Sequence, residues 1–265
     1  MDSALKKIAR VGYVAKGIVY GLTGILTFLA AFDMGGEKTD QLRVLQFLDE
    51  QTFGNILLIL LGAGLFCYSF WRFIQALSDP ESIGNDKKGK VKRTAYFISG
   101  CIYFGLSLLA FYRVFKAGSM GSGSGSGDTV QKFSWISTDV GLILIGFVGL
   151  CFIGTGIYQF ASVFKKDFVK KFQLKSISEE KRRKTIMNSA YMGMTSRGII
   201  FLIIGYFAVQ AALTAKPSEI KTTMEAFSFL EESSYGAWVL GVVAAGLVAY
   251  AIFMFMMARY RQFKG

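Results

Sequence analysis

The chain has 265 residues, 52% of them hydrophobic, with 30 Lys/Arg against 18 Asp/Glu, three cysteines, no histidine and a mean hydropathy of +0.42. That is more apolar than an ordinary soluble domain, and the missing histidine excludes a Ser-His triad, a histidine metal site and a histidine-ligated haem. The net charge of +12 would suit nucleic acid, but its distribution along the chain assigns it to membrane topology instead.

In chain order, the first long apolar block is Val11–Phe32. It carries GYVAKGIVYGLTG, which sets Lys16 among Gly12, Gly17, Gly21 and Gly24. The block is too long for a signal-peptide core and lacks an A-x-A-like cleavage site, so it is expected to stay as the first helix. QLRVLQFLDEQTFG follows, with Leu42, Leu45 and Leu48 near helical spacing. Such a segment is expected to lie in the interface plane, apolar face down. The second block is Gly54–Leu77, with Cys67 and Arg72 inside it. The third, Thr94–Phe115, contains Ser99, Gly100, Cys101 and Tyr103, and its Arg113 is expected to snorkel at the outer end.

KAGSMGSGSGSGD comes next, a flexible low-complexity stretch. No strand precedes it and no Lys-Ser/Thr follows, so it is not read as a phosphate loop. TVQKFSWISTDVG is the second amphipathic stretch, and the fourth block is Val140–Phe164, with Cys151 and Gln159. In KKDFVKKFQLKSISEEKRRK, Phe164, Phe168 and Phe172 recur at i, i+4 and i+8 among lysines, which predicts a basic amphipathic extension of the helix. It is expected to be solvated or to face headgroups, the alternative being a dock for an anionic partner or lipid. Ser178 is positioned to cap the helix that follows. The fifth block is Ser189–Leu213, with Arg197; TTMEAFSFLEESSYG, with Met224, Phe227 and Leu230, is the third amphipathic stretch; Gly236–Ala258 is the sixth block.

Each block suffices to cross a hydrocarbon core of about 30 Å as a helix. Barrel strands would be about half as long and would alternate. The reading is therefore an all-α integral membrane bundle of six helices. Placing the N-terminus inside puts 23 of the 30 Lys/Arg on the inner side and 11 of the 18 acids on the outer. That positive-inside asymmetry predicts a multi-pass plasma-membrane (inner-membrane) protein with both termini cytoplasmic. It also makes anionic headgroups on that side the expected contact, and not nucleic acid. The cysteines share no paired spacing and are expected to be small buried apolar residues.

The chain repeats itself three times. Superposing Gly17, Gly100 and Gly198 also aligns Gly12, Ala95 and Gly193; Tyr20, Tyr103 and Phe201; and Gly24, Ser107 and Gly205. In the second helix of each unit, Gly54, Gly141 and Gly236 align, as do Trp71, Tyr158 and Phe253, and Phe73, Phe160 and Phe255. Three hairpins result, roughly 1–80, 90–168 and 186–265, each starting inside and returning. Parallel repeats are related by rotation about the membrane normal, which predicts a pseudo-threefold bundle. Small residues let helix backbones approach in lipid, so Gly17, Gly24, Gly100, Gly198 and Gly205 are read as packing positions.

RVGYVAKGIVYGLTG followed by GAGLFCYSFWRFIQALSD resembles the repeat of a bacterial membrane family catalogued as domain of unknown function 1206. The matching pattern is Arg-x-Gly-Tyr-x-Ala-Lys-Gly-x-x-Tyr and Gly-Leu-x-x-Tyr-x-x-Trp-Arg, in three copies over essentially the whole chain. The second copy has Ser99 in place of the lysine; the third has Arg197 there and Phe201 in place of the tyrosine. The resemblance implies a six-helix bacterial inner-membrane protein and no particular activity.

No carboxylate falls in the middle of any span, which removes the usual intramembrane proton or cation site. The only prolines, Pro80 and Pro217, lie in loops. The candidate binding residues are Lys16, Ser99 and Arg197 at one depth, Tyr20 and Tyr103 one turn further, and Arg72 and Gln159 near the inner end. Facing the axis, they would form a cationic ring favouring anions or lipid phosphates. Facing outward, or bonding a neighbouring helix, Lys16 and Arg197 would be anchors. No cofactor or metal is expected. The two function classes are a non-enzymatic scaffold or accessory subunit binding lipid or a protein partner, and a channel or carrier with an anion-favouring path on the axis.

Overall fold

The computed structural model describes residues 3–81, 83–84, 86–116, 139–166, 169, 180–214, 221–232 and 235–262. The Gly/Ser run, most of the second amphipathic stretch, the basic segment beyond Lys166 and Ser178 lie outside the described residues. The described residues form eight helices: α1 Ser3–Ala31, α2 Gln41–Asp49, α3 Gly54–Leu77, α4 Lys87–Lys116, α5 Asp139–Phe164, α6 Glu180–Thr214, α7 Thr223–Glu231 and α8 Gly236–Tyr260. Six of them (α1, α3, α4, α5, α6 and α8) are long and apolar enough to cross a membrane. Their outer surfaces carry exposed Val11, Ile18, Ile25, Leu60, Phe66, Leu108 and Val242, which water would reject and acyl chains accept.

The hairpins are α1/α3, α4/α5 and α6/α8. The interfaces between hairpins obey the pseudo-threefold relation residue by residue. A Cβ added at Gly17 would lie 2.7 Å from the Phe255 ring, one at Gly100 2.8 Å from Phe73, and one at Gly198 2.8 Å from Phe160. One heptad on, Gly24 lets the Ala244 carbonyl approach and Gly205 that of Gly149, while Ser107 donates to the Gly62 carbonyl at 2.9 Å. The small residues are thus where helix backbones meet.

Within hairpins the symmetry is broken. α1 packs on α3 and α6 on α8, but among the described residues α4 and α5 share no such interface. The cause is written in two aligned positions. Gly12 and Gly193 sit so close to α3 and α8 that a Cβ would fall 2.5 Å from the Cα of Tyr68 and of Tyr250. The second repeat has Ala95 there. Gly64 and Gly246 likewise admit Ala15 and Ser196, and the second repeat has Cys151. Two added side chains at the two closest approaches keep α4 and α5 apart. The ring of six helices is therefore open in repeat 2.

Two of the three amphipathic stretches form short helices, each with its apolar face turned into the protein. The chain after α1 turns back through left-handed Asp33, Gly35 and Gly36. A side chain at Gly36 would strike the Leu26 carbonyl at 2.7 Å, which demands glycine twice over. The Thr39 amide then donates to Thr27 Oγ1 at 3.1 Å, and buried Asp40 caps α2 by accepting from Leu42 and Arg43. α2 buries Val44 and Leu45 in the bundle mouth. α7, closed by a capping box between Thr222 and Glu225, buries Phe227 against the other half. Lys38 joins the two by an ion pair with Glu231. At the opposite end, the loop after α3 is pinned by Asp79, whose carboxylate accepts from the Ile83 and Gly84 amides and is held below the ordinary carboxylate range by those bonds.

Three expectations are corrected. Cys101 and Cys151 are exposed and Cys67 is half-buried, because all three lie away from the helix contacts. Arg113 pairs with Asp49 at 3.6 Å, because the end of α2 comes within its reach. The basic extension does not continue α5 directly, since the helix ends at Phe164 and Lys166 is left-handed.

Candidate functional site

Helical spacing builds the site in two layers. Position i of each first helix is Lys16, Ser99 or Arg197, and position i+4 is Tyr20, Tyr103 or Phe201. Position i of each second helix is Tyr68, Thr155 or Tyr250, and position i+4 is Arg72, Gln159 or Met254. Because i and i+4 share a helix face, the three first helices and α3 each bring one cation or polar group beside one ring, whereas α5 brings Thr155 with Gln159 and α8 brings Tyr250 with Met254.

Lys16 is only 3% exposed, so it does not snorkel. α1 begins at Ser3, so Lys16 stands near the middle of its 29 residues. Its ammonium stands over four rings: Tyr68 at 4.7 Å, Tyr103 at 4.9 Å, and Tyr20 and Tyr250 at 5.7 Å. These come from α3, α4, α1 and α8, so Lys16 points into the bundle interior between those helices. A cation over desolvated rings gains up to about 2 kcal/mol from the ring quadrupole. Lys16 also donates to the Tyr68 hydroxyl at 2.9 Å.

The other two cations join this centre. Arg72 donates to the same Tyr68 oxygen through Nε at 2.7 Å and Nη2 at 2.5 Å, and stacks against Tyr96. Arg197, on α6, donates to the Tyr250 hydroxyl at 2.5 Å and lies 5.0 Å from the Tyr20 ring. Its Nε is buried with no hydrogen-bond partner. Tyr103 donates to Tyr20 at 3.4 Å, and Tyr20 accepts from Gln41 on α2 at 2.9 Å. The structure thus gathers Lys16, Tyr20, Tyr103, Arg72 and Arg197. Ser99 is half-buried on the open hairpin, and Gln159 is buried with neither amide atom partnered.

A second cluster, missed in the sequence, closes the end that carries the termini. Arg72 donates to Gln75 at 3.0 Å, and Gln75 donates to Glu81 at 2.6 Å. Glu81 also pairs with Arg261, which is buried at the end of α8, and accepts from Tyr96 at 3.3 Å. Arg261 donates to the Tyr13 hydroxyl, which accepts from Trp71 as well. Glu81 thereby ties the first hairpin to the end of the third. Tyr68 and Tyr250 were missed too, although both fall on the repeat register, 14 residues after Gly54 and Gly236.

Electrostatically the centre is unbalanced. Six helices carry carboxylates only at the first residue of α5 and of α6, and Glu81 meets Arg72 only through Gln75. Two cations share one phenol oxygen and a third lies one ring away. Like charges in a medium of low dielectric repel strongly, and intramembrane ionisable groups are retained for a purpose. The centre therefore gathers three basic side chains within reach of shared tyrosines. Among the described residues no group of three or more His, Cys, Asp or Glu could hold a metal.

The fold and site define a polytopic α-helical membrane protein of three tandem hairpins around a caged cation centre. A family model described as Domain of Unknown Function (DUF1206) matches residues 11–79, 94–166 and 192–261, one segment per hairpin. The chain belongs to that family. It is also 31% identical over 261 residues to an "Uncharacterized protein YxxB" of Bacillus subtilis (strain 168), covering 97% of this chain and 91% of that one. No solved structure matches.

Proposed function

We propose that the chain is a non-enzymatic protein of the bacterial plasma membrane, with cytoplasmic termini, that holds an anionic membrane lipid at its centre as a scaffold or accessory subunit. The observation that carries this reading is the meeting of Lys16, Arg72 and Arg197 in one buried site, where they donate to the phenols of Tyr68 and Tyr250 and to the amide of Gln75. The excess of Lys/Arg on the side of the termini favours that orientation, and the lack of histidine and of carboxylates within the spans favours binding over catalysis. A continuous ion path along the axis is the weaker reading, because Lys16 and four tyrosine rings pack against one another in the bundle interior.

The test is the lipid retained by the purified full chain, measured by mass spectrometry. Lys16→Ala combined with Arg197→Ala is expected to strip the anionic lipid. Unchanged retention in a folded double variant contradicts the reading.

A further inference from the structure

The open hairpin has a consequence beyond packing. In repeats 1 and 3 the stripes that join the two helices of a hairpin are buried; in repeat 2 the same stripes are bare. Val19 is 1% exposed and its counterpart Ile102 is 50%. Trp71 is 1% exposed and its counterpart Tyr158 is 52%. Ala95, Ile98, Cys151 and Thr155 are exposed as well, and a Cβ added at Gly105 or Gly154 would meet nothing within 4 Å.

By the repeat register this slot takes the place of the third wall of the centre. In the inward layer of the second helices, Tyr68 and Tyr250 wall the cage, and the third place is Thr155, whose hydroxyl bonds back to its own helix at Cys151. The cage therefore lacks one ring, on the side where the hairpin is open. On the same face of α5, one turn from Thr155, is Gln159, 5% exposed with both amide atoms unpartnered; Arg197 keeps an unpartnered Nε.

We infer that the slot between α4 and α5 is a lateral site for one anionic phospholipid, its phosphate reaching Arg197 and Gln159 and its acyl chain lying along the Ile98–Ile102 and Cys151–Tyr158 stripes. This rests on the lipid-holding function proposed above. Charge decides the occupant: a phosphate answers the unbalanced cations and the unpartnered N–H groups, and an acyl chain answers the apolar stripes. A free anion leaves the stripes bare, and a second copy of the chain brings the same positive centre.

The experiment uses the full chain in nanodiscs of phosphatidylglycerol and phosphatidylcholine, with native mass spectrometry of the bound lipid. Thr155→Trp places a large ring at the third position of the inward layer, where the slot meets the cage. Ala95→Gly and Ile98→Ala with Cys151→Gly and Thr155→Tyr restore the closed pattern of the other repeats. Both leave Lys16, Arg72 and Arg197 in place. Each folded variant is expected to lose bound phosphatidylglycerol about tenfold or more, as separation of a buried charge pair does. Retention in both slot variants, with loss only in Lys16→Ala/Arg197→Ala, overturns the slot and spares the proposed function. Retention in all of them overturns both. Displacement of the lipid by inorganic phosphate at equal concentration, or a slot variant that alters only self-association, also overturns the inference.

Discussion

Gly12 of α1 lies so close to Tyr68 of α3 that a single added methyl group would fall 2.5 Å from the Tyr68 Cα. Gly193 and Tyr250 repeat that relationship in the third hairpin, also at 2.5 Å. The glycines therefore do more than join helices: they set the depth to which two tyrosines enter the centre, and hence the cage around Lys16.

Gly12→Ala and Gly193→Ala are expected to lower the melting temperature in detergent, each costing about 1–3 kcal/mol as overpacking does. Gly105→Ala has open space and is expected to be neutral or to stabilise by up to about 1 kcal/mol, the helix-propensity gain. Equal losses at all three positions would contradict the asymmetry between the hairpins.

Tyr68→Phe removes the one oxygen that accepts from both Lys16 and Arg72. Leaving buried donors unsatisfied costs about 1–3 kcal/mol, more for charged groups. The variant is expected to melt lower than Tyr20→Phe, whose hydroxyl serves neutral Gln41 and Tyr103. Thermal unfolding of the two side by side checks the order.

How much of this was legible follows from what each residue's role depends on. Gly17, Gly100 and Gly198 were readable because a repeat superposes on itself, and the structure sets the same phenylalanine against each. Whether Lys16 turns inward or outward was not legible, because its direction depends on rings brought from α3, α4 and α8 that no local pattern links to it. Glu81 and Arg261 stand 180 residues apart, and no period links a loop carboxylate to a C-terminal guanidinium. The open hairpin was present in the alignment as Ala95 against two glycines. Its meaning needed the second helix, where Cys151 faces the same gap.

Glu81→Gln is expected to be costlier than any surface charge change. Arg261 would keep its burial and lose its counter-ion, a situation worth about 3–5 kcal/mol. Hydrogen exchange is expected to rise at the end of α8 first. Exchange and melting unchanged from wild type would show that the Glu81–Arg261 tie contributes nothing.

Asp40→Ala removes the cap of α2 at a buried position, a loss of about 0.5–2 kcal/mol. Exchange of the amides in Gln41–Asp49 is expected to accelerate, with α7 unaffected because Thr222 and Glu225 cap it independently.

The most direct measurement is an electron cryomicroscopy structure in a bilayer containing phosphatidylglycerol, read at the depth of Lys16 between α4 and α5. The account predicts a phosphate within hydrogen-bond reach of Arg197 and Gln159, with an acyl chain beside Ile102. A closed α4–α5 interface, with Thr155 packed on Ala95 and no anion among Lys16, Arg72 and Arg197, would contradict it.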